Sequence, residues 1–192
     1  MTRPLRVLPI TVAAVAACSI LTFAQTRGTP ERFTATAVNL SRGGAGTLEI
    51  VVNRWSTDAE RNKLVSVLLD QGENKLLDAL RSTKKVGYIR SPNSIGWDLH
   101  YAHKRPLPDG GEQVVIATDR PIGFREAVNQ PRSIDYPFTV IEMHLNADGE
   151  GNGTMSVATK IVGDKEAKTI QLENFSTSPV MLTSVKRERT SH

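Results

Sequence analysis

Cysteine is almost missing from this chain. Cys18 is the only one in 192 residues, and it falls in an apolar stretch near the N-terminus. Once that stretch is removed no thiol remains, which excludes disulfides, a thiol nucleophile and a cysteine-ligated metal. Aromatic residues are scarce at 5%, so aliphatic side chains must fill the core. There is no phosphate-binding glycine loop, no dinucleotide glycine fingerprint and no Gly-x-Ser-x-Gly nucleophile turn. The paired-histidine zinc motif HExxH is absent too. Charge of one sign does not dominate: 24 Lys and Arg face 20 Asp and Glu, a balance of +4. The one basic run, "KRER" at 186–189, is a short solvated stretch, and nothing in it calls for a nucleic acid as partner.

The N-terminus has a clear pattern. "MTRPLR" supplies a short basic start with Arg3 and Arg6, and an uncharged apolar run follows from Val7 to Ala24. Basic head, apolar middle and small-residue end are the parts of a secretory signal. Cleavage after Ala24 leaves Gln25 as the new terminus, a polar linker over 25–32, a single β-rich domain over 33–187 and a tail over 188–192. An alternative is the lipobox-like "VAAC" ending at Cys18, which would leave a lipidated cysteine. A third is a retained anchor, for which the run is barely long enough. Contact with a membrane is expected only through the leader or a lipid on Cys18. Export without disulfides suits a bacterial envelope better than a small secreted animal domain.

After the linker the chain alternates. "FTATAVNL" (33–40) and "TLEIVVNRW" (47–55) flank the "SRGGAG" turn and read as a hairpin. The period then changes over Ser56–Lys85. Thr57 with Glu60 forms a capping box, and Leu64, Val67 and Leu68 give a helical stripe. Gly72 interrupts it, and Leu76, Leu77 and Leu80 begin a second apolar face. Two short helices, or one bent at Gly72, are expected, and they need a sheet to cover because each is too short to be stable alone. From Val86 onward the pattern is β again, broken by the irregular stretch 120–137. The predicted fold is α+β, mainly β: about eight antiparallel strands as a sandwich or barrel, with a helical hairpin inserted between strands 2 and 3.

Candidate sites come from two strands. In "FTVIEMHLN" (138–146) the face of Ile141, Met143 and Leu145 is apolar and belongs to the core. Glu142 and His144 therefore look toward solvent, a helix or a cavity. In "GWDLHYAHK" (96–104) alternation puts Trp97, Leu99, Tyr101 and His103 on one face and Asp98 with His100 on the other. Trp and Tyr rings can line a ligand groove or fill a core. In the long excursion, Arg132 can hold an anion or pair with Asp135, and Tyr136 is its neighbour. The glycine-rich "ADGEGNG" offers Asp148, Glu150 and Asn152 to calcium, but its twelfth position is Thr159 where a calcium loop needs Glu, so a hairpin tip is the better account.

The stretch "VGYIRSPNSIGWDLHYAHKRPLPDGGEQVVIATDRPIGFREAVNQPRSIDYPFTVIEMHL", with "LENFSTSPVMLTSVK" downstream, resembles uncharacterised exported bacterial proteins. The resemblance implies an envelope location and assigns no activity, cofactor or catalytic residue.

The leading expectation is a non-enzymatic β-domain that binds a small apolar or anionic ligand, or an envelope component, through Trp97, Tyr101, Arg132 and Tyr136. The alternative is a metal-dependent or acid/base hydrolase in which His100, Glu142 and His144 converge. A structural envelope role is the third. No cofactor and no metal is assigned.

Overall fold

The structure, a computed structural model, describes residues 30–39, 44–92, 94–122, 135–167, 169–175 and 178–188. The leader with Cys18, most of the linker, Arg132 and the last four residues lie outside them. Ten strands and two helices run in the order β1 (Glu31–Asn39), β2 (Gly44–Val52), α1 (Asp58–Gln71), α2 (Glu73–Ser82), β3 (Gly87–Arg90), β4 (Trp97–Leu99), β5 (Tyr101–Pro106), β6 (Glu112–Thr118), β7 (Phe138–Leu145), β8 (Glu150–Asp164), β9 (Thr169–Asn174) and β10 (Val180–Glu188). The expected mainly-β fold and the helical hairpin between strands 2 and 3 are both present. Two edges differ from expectation. Glu31 and Arg32 belong to β1 rather than to a linker, and Glu188 to β10 rather than to a tail.

One antiparallel sheet follows the path β4-β3-β2-β1-β10-β8-β7-β6-β5. Its two ends are consecutive in the chain. Trp97–Leu99 pairs with β3 and Tyr101–Pro106 pairs with β6, so one extended run lies at both ends of the path. The His100 N–H donates to Ala117 O at 3.2 Å, and the Thr118 hydroxyl donates to Asp98 O at 2.8 Å, drawing the ends together. The result is a nearly closed barrel, which leaves few free strand edges.

The interior is filled. Phe33, Ile50, Ile89, Leu99, Ile116, Ile141, Met143 and Leu182 are fully buried there. The apolar face of β7 is the inner one, as alternation requires, so Glu142 and His144 are on the outer wall. The structure corrects the assignment on 96–104. Leu99 and Ala102 both point inward, whereas Tyr101 packs on the outside. Alternation therefore resets at His100, and Trp97 and Tyr101 lie on opposite faces. A second reset occurs in β10, where Leu182 and Val185 are both inward and Ser184 between them has φ +51°.

The inner surface ends in charge at one rim. Glu31, Lys104, Glu112 and Arg187 each lie two residues beyond an inward apolar side chain. Lys104 Nζ is 2.6 Å from Glu31, Arg187 Nε is 3.1 Å from the same carboxylate, and Arg187 also pairs with Glu112. The Trp55 indole N–H donates to Glu31 at 2.8 Å, with its ring edge-on to Phe33.

Both helices lie against the outer wall. Thr57 and Glu60 form the reciprocal cap expected of them. Gly72 takes φ +84°, a left-handed value that ends α1 and starts α2 within one residue. Leu64, Leu68, Leu76 and Leu80 are buried over Ala117, Phe138 and Val140. The strand β8 is long enough to serve three partners. It pairs with β10 and β7 in its first part and with β9 from Thr159 to Asp164. The β8–β9 ribbon is thus an arm extending past the barrel, and its strand begins earlier than expected because the turn is confined to Asn146–Gly149.

Candidate functional site

A groove of about 600 Å³ runs between the helical hairpin and the outer wall of the barrel. It has three walls. The floor is β5, β6 and β7; one side is α1 and α2; the other is the β8–β9 ribbon. Gly163 lets the ribbon approach the hairpin, since a Cβ there would be 2.9 Å from Leu69 Cδ2 and 3.0 Å from Leu68 Cγ. Beyond that contact Ile170 and Leu172 stay 48% and 42% exposed, facing the groove rather than filling it. Below it burial holds the Glu73 carboxyl above its ordinary value, against the opposing influence of the Ile161 backbone amide and the Lys160 charge.

Strand register grades the floor from oily to polar. Tyr101, Ala117 and Val140 lie abreast; His103, Val115 and Glu142 form the next row; Arg105, Gln113 and His144 form the third. The first row lies under the leucines of the hairpin. Tyr101 is stacked on His103, centroids 6.3 Å apart, and burial pushes its phenol upward. His103 Nε2 is 3.1 Å from Asp58 in the first turn of α1.

The third row is a chain of polar contacts. Arg105 donates to the Gln113 side-chain oxygen, and Gln113 donates to Glu142. His144 Nε2 lies 2.9 Å from Glu142 Oε1. The hydrogen bond with His144 is the main reason the Glu142 carboxyl is held below its ordinary value; burial opposes it, and Gln113 and the Arg105 charge add to it. This is a carboxylate kept ionised, unlike a general acid, which needs its carboxyl raised.

The residues singled out from sequence are scattered over the molecule. Tyr101 lines the groove. Trp97 packs against the barrel interior. Tyr136 is at the base of the ribbon, donating to Glu173 at 3.2 Å, edge-on to Phe175 and beneath Lys160. Arg132 is outside the described residues. His100 does not join Glu142 and His144; its Nε2 lies 3.7 Å from Asp119. Asp119 also meets Arg81 of α2 and Arg120. Burial would raise the Asp119 carboxyl, but Arg120, His100 and Arg81 together hold it below its ordinary value. Among the described residues no three His, Cys, Asp or Glu side chains gather where they could hold a metal ion. No helix among them is long and apolar enough to cross a membrane.

Sequence reasoning passed over Arg61 and Arg105, the two guanidinium groups of the groove. The signal for Arg105 was present in "YAHKR": Tyr101, His103 and Arg105 alternate on one face once the reset at His100 is allowed for.

Comparison with protein-family models, curated proteins and solved structures finds no match for this chain.

Proposed function

We propose that this is an exported bacterial protein that binds a small ligand in the groove between its helical hairpin and barrel wall, without catalysing a reaction. The observation that carries the reading is an open apolar groove on the outside of a barrel whose own interior is packed. A barrel that held its ligand inside would need an empty lumen. Here the space lies where three separate elements meet, and its size is in the range of small-molecule sites. Apolar surface left uncovered between packed elements costs stability, and a bound apolar group offsets that cost. The basic head and apolar run before Ala24 support export. A periplasmic or secreted location follows, with lipid attachment at Cys18 as the variant form.

The test is titration of the purified protein with a neutral apolar dye whose fluorescence rises on burial. Saturable binding is expected, and Val115→Trp, which fills the floor, is expected to abolish it without lowering the melting temperature. Dye binding that does not saturate, or that Val115→Trp leaves intact, defeats the proposal.

A further inference from the structure

From the pairing of its arginines we infer that the groove takes a single-chain amphipathic anion, a free long-chain carboxylate, with its head at Arg61 and Arg105 and its tail beneath the hairpin. This rests on the groove being a ligand site.

Among the described residues, Arg32, Arg54, Arg81, Arg90, Arg120 and Arg187 each form an ion pair with a carboxylate. Arg61 and Arg105 do not. Arg61 donates to the neutral Asn62 side chain at 3.1 Å, and Arg105 to neutral Gln113. These two are also the arginines that line the groove. A guanidinium has five donors in a planar fork that fits a carboxylate, and one neutral oxygen leaves most of them open. Elsewhere on this surface such a group finds an acidic neighbour. At the groove mouth the one acidic lining residue, Glu142, instead takes its hydrogen bonds from His144 and Gln113. Among the described residues, positive charge without a direct protein anion therefore stands where the floor turns polar.

The other end of the groove specifies the tail. Leu68, Leu76, Leu80, Val140 and Ile161 present no donor or acceptor that would orient a polar chain. A polar head and an unbranched apolar tail reproduce the gradient along the floor. One chain suits a groove of about 600 Å³ bounded by the ribbon better than a diacyl lipid held in a bilayer.

The experiment displaces the neutral dye from the full-length mature protein with oleate or with methyl oleate, which has the same chain but no charge. Oleate is expected to bind at least about tenfold more tightly than the ester, the scale of hydrogen bonds to a charged group. Arg61→Gln with Arg105→Gln should bring oleate down to the affinity of the ester and leave the melting temperature unchanged, because neither residue is ion-paired. Raised salt should weaken oleate and spare the ester. Equal affinity for acid and ester, or a double variant that still prefers oleate, overturns the inference while the dye result leaves the groove reading standing. Failure of the dye itself to bind defeats both. Sedimentation with phosphatidylglycerol vesicles, in a protein that ignores free oleate, would assign the charge to a membrane surface and overturn the free-chain ligand.

Discussion

Lys165, at the turn of the β8–β9 ribbon, reaches Asp70 of α1 with Nζ 2.6 Å from Oδ1. Both side chains are more than half exposed, so the pair contributes at most about 1 kcal/mol. The apolar contact at Gly163 is the stronger link between ribbon and hairpin. Gly163→Val is expected to force the ribbon away from Leu68 and Leu69 and to cost about 1–3 kcal/mol. Limited proteolysis should then cut the ribbon turn faster than in the parent protein, whereas Lys165→Ala should leave the cutting rate nearly unchanged. Equal rates for Gly163→Val and the parent would contradict this account of the groove wall.

The hairpin depends on its first turn. Thr57 Oγ1 accepts the Glu60 N–H at 3.1 Å, and Glu60 accepts the Thr57 N–H at 2.8 Å. Thr57→Ala removes half of this cap and is expected to cost about 1 kcal/mol, read as a fall of about 2–4 °C in melting temperature. Thr57→Ser keeps the acceptor and should restore most of it.

These features differ in how far local sequence carries them. The cap at Thr57, the break at Gly72 and the inward face of β7 follow from spacing alone, because each depends on neighbours within a few residues. The faces of 96–104 do not. His100 donates its N–H to Ala117 and lies against Asp119, and those partners are distant in the chain, so the phase reset is set by barrel closure. The groove is likewise a product of three elements meeting. Arg61 carries no mark in the sequence, because nothing near it shows that Arg105 shares its groove, or that other arginines are paired.

Asp119 ties α2 to the barrel through Arg81 and lies beside His100 and Arg120, which together hold its carboxyl below the ordinary value despite burial. A depressed carboxylate stabilises the fold at pH above its unfolded value. As pH falls through the ordinary carboxylate range the unfolded state takes up a proton first, and this contribution is lost down to the folded value. Asp119→Asn is therefore expected to lower urea midpoints at neutral pH and to converge on the parent protein in acid. Arg81 and Arg120 are each more than half exposed, so solvent screening keeps the effect modest. Parallel midpoint curves for the two proteins over the acid range would show that Asp119 is not the group responsible.

Arg187 closes one rim of the barrel. Its guanidinium pairs with Glu31 and Glu112 and lies 5.4 Å from the centroid of the Phe33 ring, with its side chain 28% exposed. Arg187→Met keeps much of the packing over Phe33 but removes the charge. Lys104 still serves Glu31, so Glu112, 20% exposed, is the carboxylate left without its partner. Breaking one side of this half-buried pair costs about 1–3 kcal/mol, which is a sizeable share of the stability of a domain. Adding Glu112→Gln to Arg187→Met should recover stability at neutral pH by removing the stranded charge. Denaturant midpoints for the parent, the single and the double variant measure this directly. A double variant no more stable than Arg187→Met would mean that the guanidinium acts through its packing on Phe33 and not through its charge.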